Sequence, residues 1–150
     1  MADLKVEQYR KAVEAVIDRW SKKVETSSKR IAYLNGEIER IGKLLECATE
    51  KGEIEYKAQI EKMKKLRSAE VEAIRSAGDS LRLEMMMLKM PERTPSNEKD
   101  LINLKGFIGD VVKKKGLPLG KSGIVLKPDV DIDFKAGKLK KLGLELKFEF

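Results

Sequence analysis

The first 90 residues of the chain contain no proline, and their apolar side chains recur with the period of an α-helix. Between Val6 and Leu45 the apolar or small residues lie three or four positions apart, with one extra residue near Trp20. This spacing is typical of a heptad seam that packs along a second helix. The seam consists of Val6, Tyr9, Val13, Val16, Trp20, Val24, Ser27, Ile31, Leu34, Ile38, Ile41 and Leu45. Because a seam this narrow cannot be buried within one helix, it predicts a partner helix.

Residues 49–53 hold the predicted turn between two long helices. Gly52 can adopt the left-handed conformation that often ends a helix, and a second helix is predicted from about Glu53 to Met90. The two arms on either side of Gly52 are of similar length, which favours an antiparallel helical hairpin, or coiled coil, over residues 1–90. One continuous helix through Gly52 stays open as the alternative, because the apolar seam can be continued across the glycine.

Residues 91–97 form a predicted linker, since Pro91 and Pro95 disfavour helix before them. Residues 98–150 follow as a short amphipathic helix, with Asn97 as its N-cap, and a β-hairpin. The apolar face of this helix, predicted over 98–115, carries Leu101, Leu104, Ile108, Val111 and Val112. The predicted fold class is therefore mainly α, with a long helical hairpin followed by a small α+β module.

The two predicted strands of this module differ in their polar residues. The first, over 124–134, is interrupted at Pro128 and alternates aspartates with apolar side chains. A turn at Ala136-Gly137 precedes a second strand whose apolar residues recur strictly at every other position. These are Leu142, Leu144, Leu146, Phe148 and Phe150. Because an isolated β-hairpin is marginally stable, it is expected to dock on the helical arms, to pair with strands of another subunit, or both.

The content of histidine and cysteine excludes several classes of enzyme. The chain has no histidine and a single cysteine, Cys47, so Ser-His-Asp and Cys-His catalysis, histidine zinc sites and internal disulfides are excluded.

Asp129, Asp131 and Asp133 could in principle bind a hard cation, but a solvated strand face paired with lysines is the simpler interpretation. The segment 116–122 has the wrong glycine spacing for a phosphate loop, which indicates a turn. We expect no enzymatic activity, no cofactor and no metal site.

The net charge of +7 permits contact with nucleic acid without requiring it. Lys113, Lys114 and Lys115 form the candidate nucleic-acid patch, and Phe107 is the only aromatic residue within ten positions that could stack on bases. The chain has no apolar run long enough for a transmembrane helix and no secretory segment, so a cytoplasmic location is expected. Contact with a membrane surface is not expected.

Taken together, these patterns predict a non-enzymatic structural or adaptor protein that associates with itself and with other assembly proteins. The predicted seam for self-association contains Trp20, Ile31, Leu34, Ile38, Ile41 and Leu45. The predicted second contact is the terminal strand with Leu144, Leu146, Phe148 and Phe150, whose free edge suits strand addition to a partner. The alternative is a basic nucleic-acid-binding protein that dimerises through its helices.

Overall fold

The computed structural model describes residues 4–115, 124–133 and 136–150, which form a mainly helical chain with a two-stranded antiparallel sheet near its C-terminus. The two long helices are α1 (Leu4–Glu46) and α2 (Glu50–Met87). Two short helices follow, α3 (Glu98–Ile102) and α4 (Leu104–Lys115). The sheet pairs β1 (Ile124–Asp133) with β2 (Lys138–Phe148).

Helices α1 and α2 pack side by side and run in opposite directions. Arg19 on α1 forms an ion pair with Glu84 on α2 at 3.0 Å, and Arg30 pairs with Glu70 at 3.2 Å. Partner numbers on α2 therefore fall as residue numbers on α1 rise, which is the arrangement of an antiparallel pair. The side of α1 that carries the predicted seam is the side that becomes buried.

The break between the two helices lies at residues 47–49, and Gly52 is not its cause. Gly52 lies inside the first turn of α2, whereas Thr49 is the N-cap residue and its Oγ1 accepts a hydrogen bond from the Gly52 amide at 3.4 Å. Glu50 and Glu53 add negative charge to the first turn of α2, where the helix dipole favours it. The prediction that Gly52 caps the first helix is therefore wrong, because the polar side chain before it starts the second helix.

Asn97 precedes α3 as predicted, but its side chain does not cap that helix. The Asn97 side chain is buried, and its Oδ1 accepts a hydrogen bond from the Thr94 amide at 2.7 Å. Its Nδ2 donates to the Glu92 carbonyl at 2.8 Å. Asn97 therefore holds the linker in shape, because both ends of its amide group bond to linker backbone.

The helix predicted over 98–115 is divided at Asn103 into α3 and α4. The Asn103 amide still donates to the Lys99 carbonyl at 3.2 Å, and the Phe107 amide donates to the Asn103 carbonyl at 3.0 Å. The interruption is therefore local, and one buried apolar face continues across it. That face consists of Leu101, Leu104, Ile108 and Val112.

Strand β1 continues through Pro128, which lies opposite Leu144 on β2, so the predicted interruption is absent. A proline is tolerated there because β1 has a strand neighbour on one side only, among the described residues. The turn at residues 136–137 has Gly137 at a φ of 63°, a left-handed conformation that favours glycine. A bulge between Asp131 and Ile132 shifts the register near this turn.

The sheet docks on the helices through one apolar face. Strand β1 contacts α4, β2 contacts α2, and α4 contacts α1. Val130, Ile132, Leu139 and Leu142 are buried in the same hydrophobic cluster as side chains from α1 and α2. Docking on the helical arms is therefore how this chain covers the hairpin. None of the described helices has the length and apolar character needed to cross a membrane.

Candidate interaction surfaces

The predicted seam is mostly used within the chain. Trp20, Ile31, Leu34 and Ile41 are buried in the single chain, whereas Ile38 and Leu45 are only half-buried. The buried four lie in the interior of one copy, so a second copy would have to meet other parts of the seam.

The half-buried seam residues belong to the distal arm, which we define as residues 35–66 at the closed end of the hairpin. Ile41 is the one residue of this arm that is buried. The contacts of α4 and β2 with the long helices lie at residues 10–21 of α1 and 67–82 of α2, so among the described residues only α1 and α2 cover each other in the arm. Two helices alone leave much apolar area in contact with water, because each helix shields only one side of its neighbour.

Four large apolar side chains lie on the outside of this arm or at its base. Their exposed fractions are 67% for Tyr33, 43% for Leu44, 73% for Ile54 and 50% for Leu66. Single exposed apolar side chains are common on protein surfaces, and Leu4, Leu83, Met86 and Met87 are likewise exposed toward the open end of the hairpin. A group of such side chains is typical of an interaction surface.

One polar contact joins the two helices at the base of the arm, and another lies within α1. The Arg67 guanidinium donates to Oδ1 of Asn35 at 2.7 Å and so joins α2 to α1 at the base of the arm. Farther out, Arg40 donates to both carboxylate oxygens of Glu37, at 3.3 and 2.7 Å. These hydrogen bonds lower the pKa of Glu37 below its usual value.

The terminal strand lies along α2 and is half-covered by it. Leu144, Leu146 and Phe148 are half-buried, and Phe150 is 56% exposed. The Phe148 and Phe150 ring centroids are 6.1 Å apart. The strand predicted for pairing between subunits thus has its apolar side partly occupied by the chain's own helix.

Three arginines of α2 lie in a groove beside this strand, and no pattern in the sequence pointed to them as its neighbours. Arg67 lies 4.3 Å from the Phe150 ring centroid and Arg75 lies 5.3 Å from that of Phe148. Arg82 lines the same groove nearer Leu144. Their spacing along α2, eight and seven residues, places all three on one side of the helix. That spacing was the available signal, but the sequence alone does not show which element faces it.

Two cavities make up this groove, which we call the α2–β2 groove. One has a volume of about 290 Å³ and is lined by Arg75, Gly78, Asp79, Arg82, Leu144 and Leu146. The other has a volume of about 340 Å³ and is lined by Arg67, Ser68, Val71, Glu72, Arg75, Phe148 and Phe150. Arg75 lines both, so the two cavities adjoin at this residue.

The three lysines of the candidate nucleic-acid patch do not share one environment. Lys113 and Lys114 are exposed, but Lys115 Nζ lies 2.8 Å from Oδ1 of Asp18 on α1. This contact lowers the pKa of Asp18 and raises that of Lys115. Phe107 is half-buried, and the Arg10 guanidinium lies 5.2 Å from its ring centroid. The predicted stacking residue is therefore already in contact with a cation of the chain itself.

The aspartates of β1 pair with lysines of β2. Lys141 Nζ lies 3.0 Å from Asp129, and Lys140 Nζ lies 4.0 Å from Asp131. Within residues 4–115, 124–133 and 136–150 no group of His, Cys, Asp and Glu side chains could hold a metal ion. The segment 116–122 lies outside the described residues.

A further cavity of about 550 Å³ lies between the start of α1 and the linker. Lys5, Gln8, Tyr9, Leu88 and Met90 are among its lining residues. The Tyr9 hydroxyl is buried without a hydrogen-bond partner in the described part of the chain, and burial raises its pKa. A phenol with a raised pKa stays protonated at neutral pH.

Comparison with protein-family models, with curated proteins and with solved structures gives no match to this chain. The function is therefore inferred from the surfaces described above.

Proposed function

We propose that this chain is a non-enzymatic structural or adaptor protein that associates with copies of itself through the distal arm and so contributes to a larger protein assembly. The observation that carries the proposal is the exposure of Tyr33, Leu44, Ile54 and Leu66 where, among the described residues, only two helices cover each other. A second arm packed on the first would supply the missing layer of a four-helix bundle. The coiled-coil packing of the arms is part of this proposal.

The energetics favour a reversible association. Burying a fully exposed Leu or Ile side chain contributes about 1.5–3 kcal/mol, so each of these half-exposed side chains offers about 1 kcal/mol. Two copies together bring eight of them to the contact. This total lies within the range estimated for the free energy lost on association, about 4–15 kcal/mol. The proposal therefore predicts an oligomer whose population rises with protein concentration.

The charge of the arm also suits contact between identical copies. The whole chain carries +7, but residues 35–66 hold seven basic and seven acidic side chains. Because this stretch is close to neutral, two arms can approach without the repulsion that the rest of the molecule would generate. Like-charged copies would accordingly meet most readily at this end.

Nucleic-acid binding is the second candidate, and exposed Lys113 and Lys114 are the observation that favours it. Binding of this kind weakens steeply with salt because counterions are released from the phosphates. Changing both residues to glutamate would abolish it.

Light scattering after size exclusion separates the two functions. The mass is measured over a range of protein concentrations at about 50 and about 500 mM salt, with absorbance recorded at about 260 and 280 nm. A multimer of the 17.0 kDa chain at both salt concentrations, free of nucleic acid, supports association through the arm. A monomer at all concentrations, with nucleic acid bound only at low salt, contradicts it.

A further inference from the structure

The outer edge of β2 adjoins the α2–β2 groove and has no strand partner among the described residues, since the sheet contains β1 and β2 alone. An edge of this kind presents backbone donors and acceptors to an extended chain. The groove lies where the side chains of an added strand would point toward α2, because Leu144, Leu146 and Phe148 of β2 already do so.

The two cavities match the repeat of such a strand. One is lined by Leu144 and Leu146 of β2, and the other by Phe148 and Phe150, four residues farther along the chain. Four residues of a strand span about 13 Å, and side chains four positions apart lie on the same face. Two apolar side chains at positions i and i+4 of an added strand would therefore enter the two cavities.

The arginine that separates the cavities determines what lies between those apolar side chains. Arg75 lines both cavities, so it would face position i+2 of the added strand. The Arg75 side chain is 56% exposed, and its ion pair with Glu72 lies on the surface. Surface ion pairs of this kind contribute about 0–1 kcal/mol, so a carboxylate from a partner can compete for the guanidinium. Arg67 lies at one end of the groove, and Arg82 lies at the other, where it forms an ion pair with Asp79.

The opposite edge of β2 has acidic neighbours near the turn, whereas Lys127 of β1 lies opposite Glu145 at the level of the groove. Near the turn, Asp129 and Asp131 of β1 form ion pairs with Lys141 and Lys140. Basic residues outnumber acidic ones on β2, with Lys138, Lys140, Lys141 and Lys147 against Glu145. Opposite charges on neighbouring strands stabilise a sheet, so an acidic strand also suits the free edge.

From these observations we infer that the α2–β2 groove binds an extended acidic segment of a partner protein as a third strand next to β2. The segment has the same-face pattern apolar, acidic, apolar at positions i, i+2 and i+4. This interaction goes beyond the proposed self-association, because the groove lies outside the distal arm, along residues 67–82 of α2.

The test measures fluorescence anisotropy with the full chain and a labelled peptide of about nine residues, long enough to span the groove. Its same-face residues are Val, Asp and Val, with Thr between them. Control peptides replace the Asp with Lys, or carry N-methyl groups that remove the backbone donors of one edge. Arg75→Glu is compared with Arg93→Glu, an exposed arginine of the linker, and circular dichroism verifies the fold of both variants.

We expect the Val-Asp-Val peptide to bind, and Arg75→Glu to weaken binding at least about tenfold while Arg93→Glu leaves it unchanged. Both control peptides should bind at least about tenfold more weakly to the unaltered protein. The double variant Leu44→Glu/Ile54→Glu should bind the peptide normally, which separates this inference from the role of the arm.

Three outcomes would overturn the inference. The first is no binding of the Val-Asp-Val peptide, and the second is equal binding of the peptide that carries Lys. The third is binding of a single-stranded oligonucleotide of about 20 nucleotides, with loss on Arg75→Glu and no peptide binding, which would assign the arginines and phenylalanines to bases and phosphates instead.

Discussion

Lys115 Nζ, at the end of α4, lies 2.8 Å from Oδ1 of Asp18 on α1. One turn farther along α1, the Ser21 hydroxyl donates to the Lys115 carbonyl at 2.8 Å. One residue of α4 therefore contacts α1 through both its side chain and its backbone. The two contacts fix the end of the helix that covers β1, and they take one of the three clustered lysines out of the exposed patch.

This ion pair makes a pH-dependent contribution to stability. Because the pKa of Asp18 is lowered in the folded state, its contribution is present above the ordinary value of 3.8 and is lost as the pH falls through the folded-state value. Asp18→Asn should lower the melting temperature at pH 7, and the difference from the unaltered protein should shrink as the pH falls below 3.8. Thermal denaturation from about pH 7 to about pH 2 measures this difference. Asp110→Asn, an exposed aspartate of α4, is the control, and an equal effect of both variants would contradict the assignment.

Ile41 and Ile54 separate the inner and outer faces of the distal arm. Ile41 is 1% exposed and Ile54 is 73% exposed. Ile41→Ala should lower the free energy of unfolding by about 2 kcal/mol, at the low end for a buried isoleucine because the arm has few layers. Ile54→Ala should change it by less than about 0.5 kcal/mol. Chemical denaturation at a concentration where the protein is monomeric measures both, and similar losses would show that the arm packs differently.

Asn97 is expected to contribute far more to the stability of the fold than the exposed Asn103. Asn97→Ala removes the partners of the Thr94 amide and the Glu92 carbonyl, so it should cost about 1–2 kcal/mol. Asn103→Ala, at the exposed interruption between α3 and α4, should be neutral or slightly stabilising because alanine favours helix. Urea denaturation of the two variants provides the comparison. A neutral Asn97→Ala would mean that water replaces both hydrogen bonds.

Two glycines with open space around them should respond in opposite directions to alanine. Gly137 has a φ of 63° and Gly36 lies within α1, and neither would bring an added Cβ within 4 Å of other atoms. Gly137→Ala should destabilise by about 1 kcal/mol through left-handed strain. Gly36→Ala should stabilise by about 0.5–1 kcal/mol because glycine weakens a helix. Melting temperatures of the two variants give the sign, and a loss at Gly36 would contradict a continuous α1.

The periodic parts of the sequence predicted the helices and strands and the antiparallel pairing of α1 and α2, but not which helix contacts which strand. The apolar spacing gave α1, α2 and the buried face of α3 and α4, because a helical period shows which side of a helix is apolar. The capping roles predicted for Gly52 and Asn97 were wrong because a short polar side chain, such as that of Thr49 or Asn97, can cap a helix or bond to loop backbone. The choice depends on distant packing. The docking of β2 on α2 depends on contacts between residues far apart in sequence. For this reason Arg75 and Phe148 could not be recognised as neighbours.

The central claim is that the distal arm mediates self-association, and substitutions on its exposed face test it most directly. Leu44→Glu/Ile54→Glu places charge on the outside of the arm without altering a buried side chain. Leu83→Glu is the matched control, since Leu83 is 65% exposed on the same helix as Ile54 but lies far from the closed end of the hairpin. Light scattering after size exclusion gives the mass of each. We predict a monomer of 17.0 kDa for the double variant, and an unchanged multimer for Leu83→Glu and the unaltered protein. A double variant that keeps the multimer mass would contradict the account.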